Sequence, residues 1–269
     1  MSALSGPALL FCPADRPERY AKALATADMA ILDLEDAVPA DRKDVAREAL
    51  VANPGDPART IVRINPTTTA DHAADLAALA RTDYRLVMLA KAESRAQVES
   101  LDRWQVIALC ETARAITRAA EIAVASNLVA LMYGAEDLMV SMGGHSSRLE
   151  SGPFRDVARH ARSAVLLHAA SQGVAAIDAV YLDTVDDEGL LAEAGDAAAS
   201  GFAAKACIHP RQVAVVRRAY RPSDRQIAWA RRVLQAREQS SAAVFTVDGQ
   251  MIDAPLFRQA EAIAAAASA

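Results

Sequence analysis

The chain has 269 residues, 52% of them hydrophobic, and a formal net charge of −5. That length suits one large domain, and single barrels of about 250 residues are ordinary. The acidic balance gives no sign of a nucleic-acid partner, no apolar run reaches the ~20 residues of a membrane span, and Met1 to Pro7 lacks a basic, apolar leader. A cytoplasmic protein without nucleic-acid or membrane partners is expected. The three cysteines, Cys12, Cys110 and Cys207, show no spacing motif and read as buried, reduced thiols.

Eight apolar, strand-like runs follow one another: Ala8–Cys12, Met29–Glu35, Thr60–Asn65, Leu86–Lys91, Val106–Glu111, Val129–Gly134, Ile177–Asp183 and Lys205–His209. Helical periodicity fills the gaps, which predicts βα units and a parallel sheet. Eight units with nothing left over predict a closed (β/α)8 TIM barrel over residues 1–222. Residues 223–269 are expected to form a helix and hairpin extension, a lid within the same domain. A doubly wound open sheet is the alternative, but F-C-P-A-D-R-P offers no Gly-rich phosphate loop after the first strand.

After the first strand, Asp15 with Pro17 and Glu18 reads as a capped helix start. It brings Arg16, Arg19 and Lys22 together, either as a solvated basic face or as a phosphate clamp. The second strand ends L-D-L-E-D, so strand alternation turns Asp33 and Glu35 toward the barrel axis and Leu32 and Leu34 toward the helices. Asp41 is expected to start the next helix, with Lys43 on the rim. Arg63, in T-I-V-R-I-N-P, needs an anionic partner. That partner is Glu35, a bound anion, or both, and the last reading is adopted here. Lys91 and Glu93 are either a mutual salt bridge or further mouth charges.

The stretch from Val106 to Asp137 carries the chemistry. V-I-A-L-C-E and L-V-A-L-M-Y-G-A-E-D each end in an acid, Glu111 and Asp137. An acid at the end of a buried strand is expensive unless it has work to do. Two such acids side by side suit a hard divalent cation completed by substrate oxygens. Gly134 and Ala135 leave the backbone bare for close approach of a ligand carboxylate. The structural alternatives are a Glu111–Arg114 salt bridge and Asp137 as a helix N-cap. Further on, S-M-G-G-H-S-S-R-L-E-S-G-P reads as a loop, a helix covers about Phe154–Gln172, and D-G predicts a hairpin. Asp253 then stands where a last helix would be capped, with Pro255 in its first turn.

Taken together, L-F-C-P-A-D-R-P-E-R-Y-A-K-A-L, I-L-D-L-E-D-A-V, V-R-I-N-P, A-L-C-E-T-A-R-A, Y-G-A-E-D-L, A-C-I-H-P-R-Q and G-Q-M-I-D-A-P make the chain resemble the HpcH/HpaI aldolase superfamily. Within it the resemblance is to citrate lyase β-subunit-like proteins, relatives of malyl-CoA and citramalyl-CoA lyases. It implies a TIM barrel, often trimeric, with Mg²⁺ (or Mn²⁺) held by Glu111 and Asp137. It also implies Arg63, Gly134 and Ala135 at the substrate, and Phe11, Arg16 and Lys22 at the coenzyme A of an acyl-CoA. Asp253 would be a catalytic aspartate serving its own or a neighbouring subunit. The implied reaction is reversible cleavage of a 3-hydroxyacyl-CoA into an acetyl-CoA-like thioester and a 2-oxo acid. A malate-synthase-like or thioesterase outcome, or a subunit of an acyl-carrier-protein-dependent lyase complex, remains the alternative. The family's L-P-K reads L-A-K here, with Ala90.

Overall fold

The structure, a computed structural model, describes residues 4–239 and 242–268. The first three residues of the Met1–Pro7 stretch lie outside them. Eight parallel strands close in sequence order into a barrel: β1 Ala8–Pro13, β2 Met29–Asp33, β3 Thr60–Ile64, β4 Leu86–Leu89, β5 Gln105–Cys110, β6 Leu128–Tyr133, β7 Ala175–Asp178 and β8 Ala204–Cys207. β8 returns to pair with β1, so no sheet edge is left, and helices connect the strands.

The two-residue period of a strand sorts side chains between the axis and the helices. Leu9, Met29, Ile31, Ile61, Met88, Ile107, Leu109, Met132, Ile177 and Ala206 form one continuous core cluster. The same parity carried to the strand ends brings Phe11, Asp33, Arg63, Glu111 and Gly134 to the axis side, at the C-terminal mouth where barrels of this kind hold their chemistry. The opposite parity turns Leu32, Leu34 and all three cysteines toward the helices, fully buried. Burial pushes the Cys12 thiol up to about 11 and the Cys110 thiol up to about 12. Both stay protonated and unreactive at neutral pH.

Two expected helix starts differ in detail. The first helical segment is a 3-10 turn, Pro17–Arg19, running into Tyr20–Thr26 without a side-chain cap. Asp15 instead accepts from Arg42 Nε at 2.6 Å, tying the loop after β1 to the loop after β2. A buried carboxylate gains more from a guanidinium than from one backbone N–H. The second start is likewise a 3-10 turn, Ala40–Arg42, followed by the helix Lys43–Ala52. Lys43 reaches inward to the carbonyls of Leu34 and Glu35 (2.7 and 2.8 Å) and to Asn65 Oδ1 (2.9 Å). It is a strap between the ends of β2 and β3.

On the helix side of β7 and β8, Lys205 is fully buried. It donates to Asp178 Oδ2 (2.8 Å), Glu193 Oε1 (2.9 Å) and the Ala179 carbonyl (2.8 Å). Asp178 Oδ1 also accepts from Arg162 Nε at 2.8 Å. The cluster locks the helices Asp156–Ser171 and Asp187–Ser200 onto the barrel wall.

The chain divides into two compact units, Met1–Val216 and Arg217–Ala269. In the second, the helix Asp224–Glu238 begins with a capping box of Ser223 and Gln226. The hairpin Phe245–Val247 with Gln250–Ile252 turns through Asp248 and Gly249, both at positive φ (51° and 79°) as a two-residue turn of this hand needs. Asp253 Oδ1 accepts from the Leu256 N–H (3.3 Å) at the start of the helix Ala254–Ser268. Val233, Val247, Ile252 and Ala260 form this unit's small core. Among the described residues no helix is long and apolar enough to cross a membrane.

Lys205→Met removes one partner from a buried ion cluster. It should destabilise the protein by about 3–5 kcal/mol, read as a lower urea midpoint at unchanged slope. A loss below about 1 kcal/mol would mean that the cluster contributes little.

Candidate active site

The C-terminal mouth of the barrel encloses a cavity of about 280 Å³, lined by the apolar Phe11, Leu109, Met132 and Val180 and by the charged Asp33, Arg63, Glu111 and Asp137. Each charged group comes from a strand end, where side-chain alternation and the first turn of the following helix set its direction.

Arg63 is buried and fixed by two acids. Its Nε and Nη2 donate to the two carboxylate oxygens of Asp33 (2.7 and 2.5 Å), its partner across the β2–β3 register, and Nη1 lies 3.0 Å from Glu35 Oε2. The guanidinium lies 4.9 Å from the centre of the Phe11 ring. Burial works against its charge, but Asp33 and Glu35 outweigh that and raise its pKa. Three of its five N–H groups are engaged by these acids. Glu35 therefore holds Arg63, and Arg63 still lines the cavity.

Glu111, 2% exposed, follows β5. Its Oε1 accepts the Lys91 N–H (3.1 Å), and a Cβ placed on Gly134 would lie 2.7 Å from Oε2. No residue larger than glycine fits there without moving the carboxylate. The Gly134 N–H itself donates to the Cys110 carbonyl (3.3 Å), so what Gly134 gives the site is room. Gly134 is also the N-cap of the helix Ala135–Ser141, which places Asp137 inside the first turn rather than at the cap. Arg114 sits 3.9 Å from Glu93, leaving Glu111 without the salt bridge that the spacing had offered. Burial and then the neighbouring Asp137 push the Glu111 carboxyl up to about 8.

Lys91 connects these groups. Its Nζ lies 3.3 Å from Asp137 Oδ1 and 3.8 Å from Glu111 Oε1, so those two oxygens can be no farther apart than the sum of the two distances. The same ammonium donates to Glu35 Oε1 and lies 3.5 Å from Asp36 Oδ2. The alternative of a Lys91–Glu93 bridge does not hold: Glu93 accepts instead from Thr112 Oγ1 (2.7 Å). Lys91 has φ 50°, in the left-handed region that non-glycine residues seldom occupy. Sequence reasoning named Lys91 but missed its reach, because the tight turn that aims it has no signature in L-A-K-A-E.

The three residues assigned to coenzyme A separate in space. Phe11 lines the cavity, whereas Arg16 and Lys22 are exposed outside it, Arg16 lying 3.8 Å from Asp15. Asp253 belongs to the second unit. Among the described residues no cluster of three or more His, Cys, Asp or Glu side chains is arranged for a metal. A carboxylate pair fits a hard ion that takes its remaining oxygens from substrate and water. Five acids (Asp33, Glu35, Asp36, Glu111 and Asp137) face two cations (Arg63 and Lys91), so the mouth has charge to spare for one.

A model of the HpcH/HpaI aldolase/citrate lyase family matches residues 8–210. A citrate lyase subunit beta-like protein of Mycobacterium tuberculosis is 58% identical over 257 residues, covering 96% of this chain and 94% of that one. A mitochondrial citramalyl-CoA lyase of Homo sapiens is 31% identical over 94% of this chain and 83% of its own. The crystal structure of CitE from M. tuberculosis in complex with magnesium, acetoacetate and coenzyme A superposes with a TM-score of 0.97 at 55% identity, over 99% of this chain and 100% of that one.

The raised Glu111 pKa fixes a pH dependence. Between the ordinary glutamate range and about 8, folded protein holds a proton on Glu111 that unfolded chain has lost. The Glu111 contribution to stability is therefore complete below that window and lost as pH rises through it. In metal-free protein, the stability of wild type relative to Glu111→Gln should fall between pH 5 and 8, measured by thermal melts. A difference that stays flat over that range would contradict the burial argument.

Proposed function

The chain belongs to the HpcH/HpaI aldolase/citrate lyase family, and from that premise we propose that it is a magnesium-dependent carbon–carbon lyase. It cleaves a 3-hydroxyacyl-CoA reversibly into an acetyl-CoA-like thioester and a 2-oxo acid. The observation that carries this reading is the Glu111–Asp137 pair, two acids that line one cavity at the barrel mouth and lie within ion-pair distance of the same ammonium. An anionic 2-oxo acid has no reason to enter a net-negative mouth alone, and it has every reason to enter with a divalent cation. A bound Mg²⁺, with Mn²⁺ as an oxygen-ligated substitute, would supply Lewis-acid polarisation of the carbonyl oxygen, worth several kcal/mol.

The protein's own groups do the rest. Asp33 and Glu35 clamp Arg63 so that its remaining N–H groups stand ready for a developing oxyanion without reorganising. In the cleavage direction the substrate hydroxyl loses its proton and the C2–C3 bond breaks. The 2-oxo acid leaves with the new carbonyl, and the electron pair remains on C2 as a thioester enolate that is then protonated. Asp253 is our candidate for the proton transfer. Phe11 gives an apolar wall, and the exposed Arg16 and Lys22 suit the phosphates of a coenzyme A that extends out of the mouth. In this reading the protein works in the cytoplasm on small-molecule substrates as a homo-oligomer, a trimer by family resemblance, with Asp253 serving its own or a neighbouring subunit. The C-terminal segment would act as a lid.

The test is product analysis with citramalyl-CoA or malyl-CoA and Mg²⁺. Acetyl-CoA plus a 2-oxo acid supports cleavage; free CoA indicates a malate-synthase-like or thioesterase outcome. Turnover only on an acyl-carrier-protein thioester, together with partner subunits, would replace the proposal with a lyase-complex subunit. Asp253→Asn keeps a good N-cap but loses the proton-transfer group. It should lower kcat by about 10²-fold or more at an unchanged melting temperature. Unchanged kcat would leave Asp253 with the capping role alone.

A further inference from the structure

We propose that Lys91 is a resident competitor for the divalent ion, its ammonium neutralising the Glu111–Asp137 pair until the ion takes that place. The inference rests on the metal-centre reading above and adds how binding there is controlled. Three observations carry it. Lys91 Nζ is within ion-pair distance of both carboxylates, 3.3 Å from Asp137 and 3.8 Å from Glu111. The same ammonium already has two further acids, Glu35 and Asp36, to which it can withdraw without crossing the cavity. Finally, the Lys91 main chain is held at φ 50° with its N–H on Glu111 Oε1. A strained left-handed residue persists only where its surroundings over-determine it. Here one residue grips Glu111 through its amide and offers its charge through its side chain. The amide can keep the carboxylate aimed while the ammonium moves.

The electrostatics set the direction. A positive charge beside the ligands repels a divalent ion about twice as strongly as it would a monovalent one. The free ion therefore binds weakly, and it binds well only when oxygens of the 2-oxo acid complete its shell. Ion and acid then enter as a coupled pair, which keeps an empty mouth from being filled by stray cations.

The experiment is calorimetric titration of Mg²⁺ into the full-length, metal-free protein, with melts in chelator, for wild type, Lys91→Met, Lys91→Gln and Lys91→Arg. The neutral variants should bind Mg²⁺ about tenfold or more tightly. They should melt lower than wild type in chelator and gain more from added Mg²⁺, while Lys91→Arg should resemble wild type. Equal or weaker Mg²⁺ binding by whichever neutral variant folds would overturn the proposal and make Lys91 a positioning residue. If neither the Lys91 variants nor wild type in the presence of a 2-oxo acid shows heat or a melting shift with Mg²⁺, the metal-centre reading has failed, and with it the competitor.

Discussion

A buried carboxyl, Glu111, and a half-buried one, Asp137, brought to one ammonium at the barrel mouth are the constraint to which the rest of the mouth is fitted. Gly134 is a glycine because a Cβ would strike Glu111. Lys91 adopts a left-handed main chain, with its amide and its ammonium both directed at the same acids. Arg63 is tied to Asp33 and Glu35, so its charge stays in place. Each arrangement is costly alone, and together they leave a net-negative pocket on a rigid frame. Burial first, and the nearby Asp137 second, push the Glu111 carboxyl up to about 8, although Lys91 and Arg63 pull the other way.

The frame is rigid because its core repeats. One strand parity fills the barrel with Leu, Ile and Met, and the other packs Leu, Val, Ala and the three cysteines against the helices. Site residues inherit the axis-facing parity, so a fold decision made by alternation becomes a functional one at the last residue of each strand. On the outer wall, the Lys205–Asp178–Arg162 cluster shows buried charge used for a structural purpose. There Asp178 meets both Lys205 and Arg162 directly.

Much of this was legible from residue order. All eight strands overlap the predicted apolar runs, because a buried parallel strand has a period and length that few other elements share; β7 departs most, running Ala175–Asp178 where the apolar run reads Ile177–Asp183. The direction of Asp33 followed from the same alternation, as did the opposed faces of Cys110 and Glu111, and the D-G hairpin from its turn chemistry. What escaped was long-range pairing. Asp15 looked like a cap and is Arg42's partner; Lys43 looked like a rim charge and is a strap. Of the two readings open for Lys91, a bridge to Glu93 or a charge at the mouth, the structure favours the second, and residue order did not show that it reaches four acids. A long cationic side chain near several acids chooses among them by loop geometry, which local sequence does not encode.

The central claim is that Glu111 and Asp137 share one hard ion completed by a keto acid. Anomalous diffraction from a crystal soaked with Mn²⁺ and a 2-oxo acid tests it most directly. The account predicts a single peak bonded to both carboxylates, with the acid's oxygens completing its shell and Lys91 drawn back toward Glu35 and Asp36. A peak bonded to other acids, or no peak between Glu111 and Asp137 at saturating Mn²⁺, would contradict it.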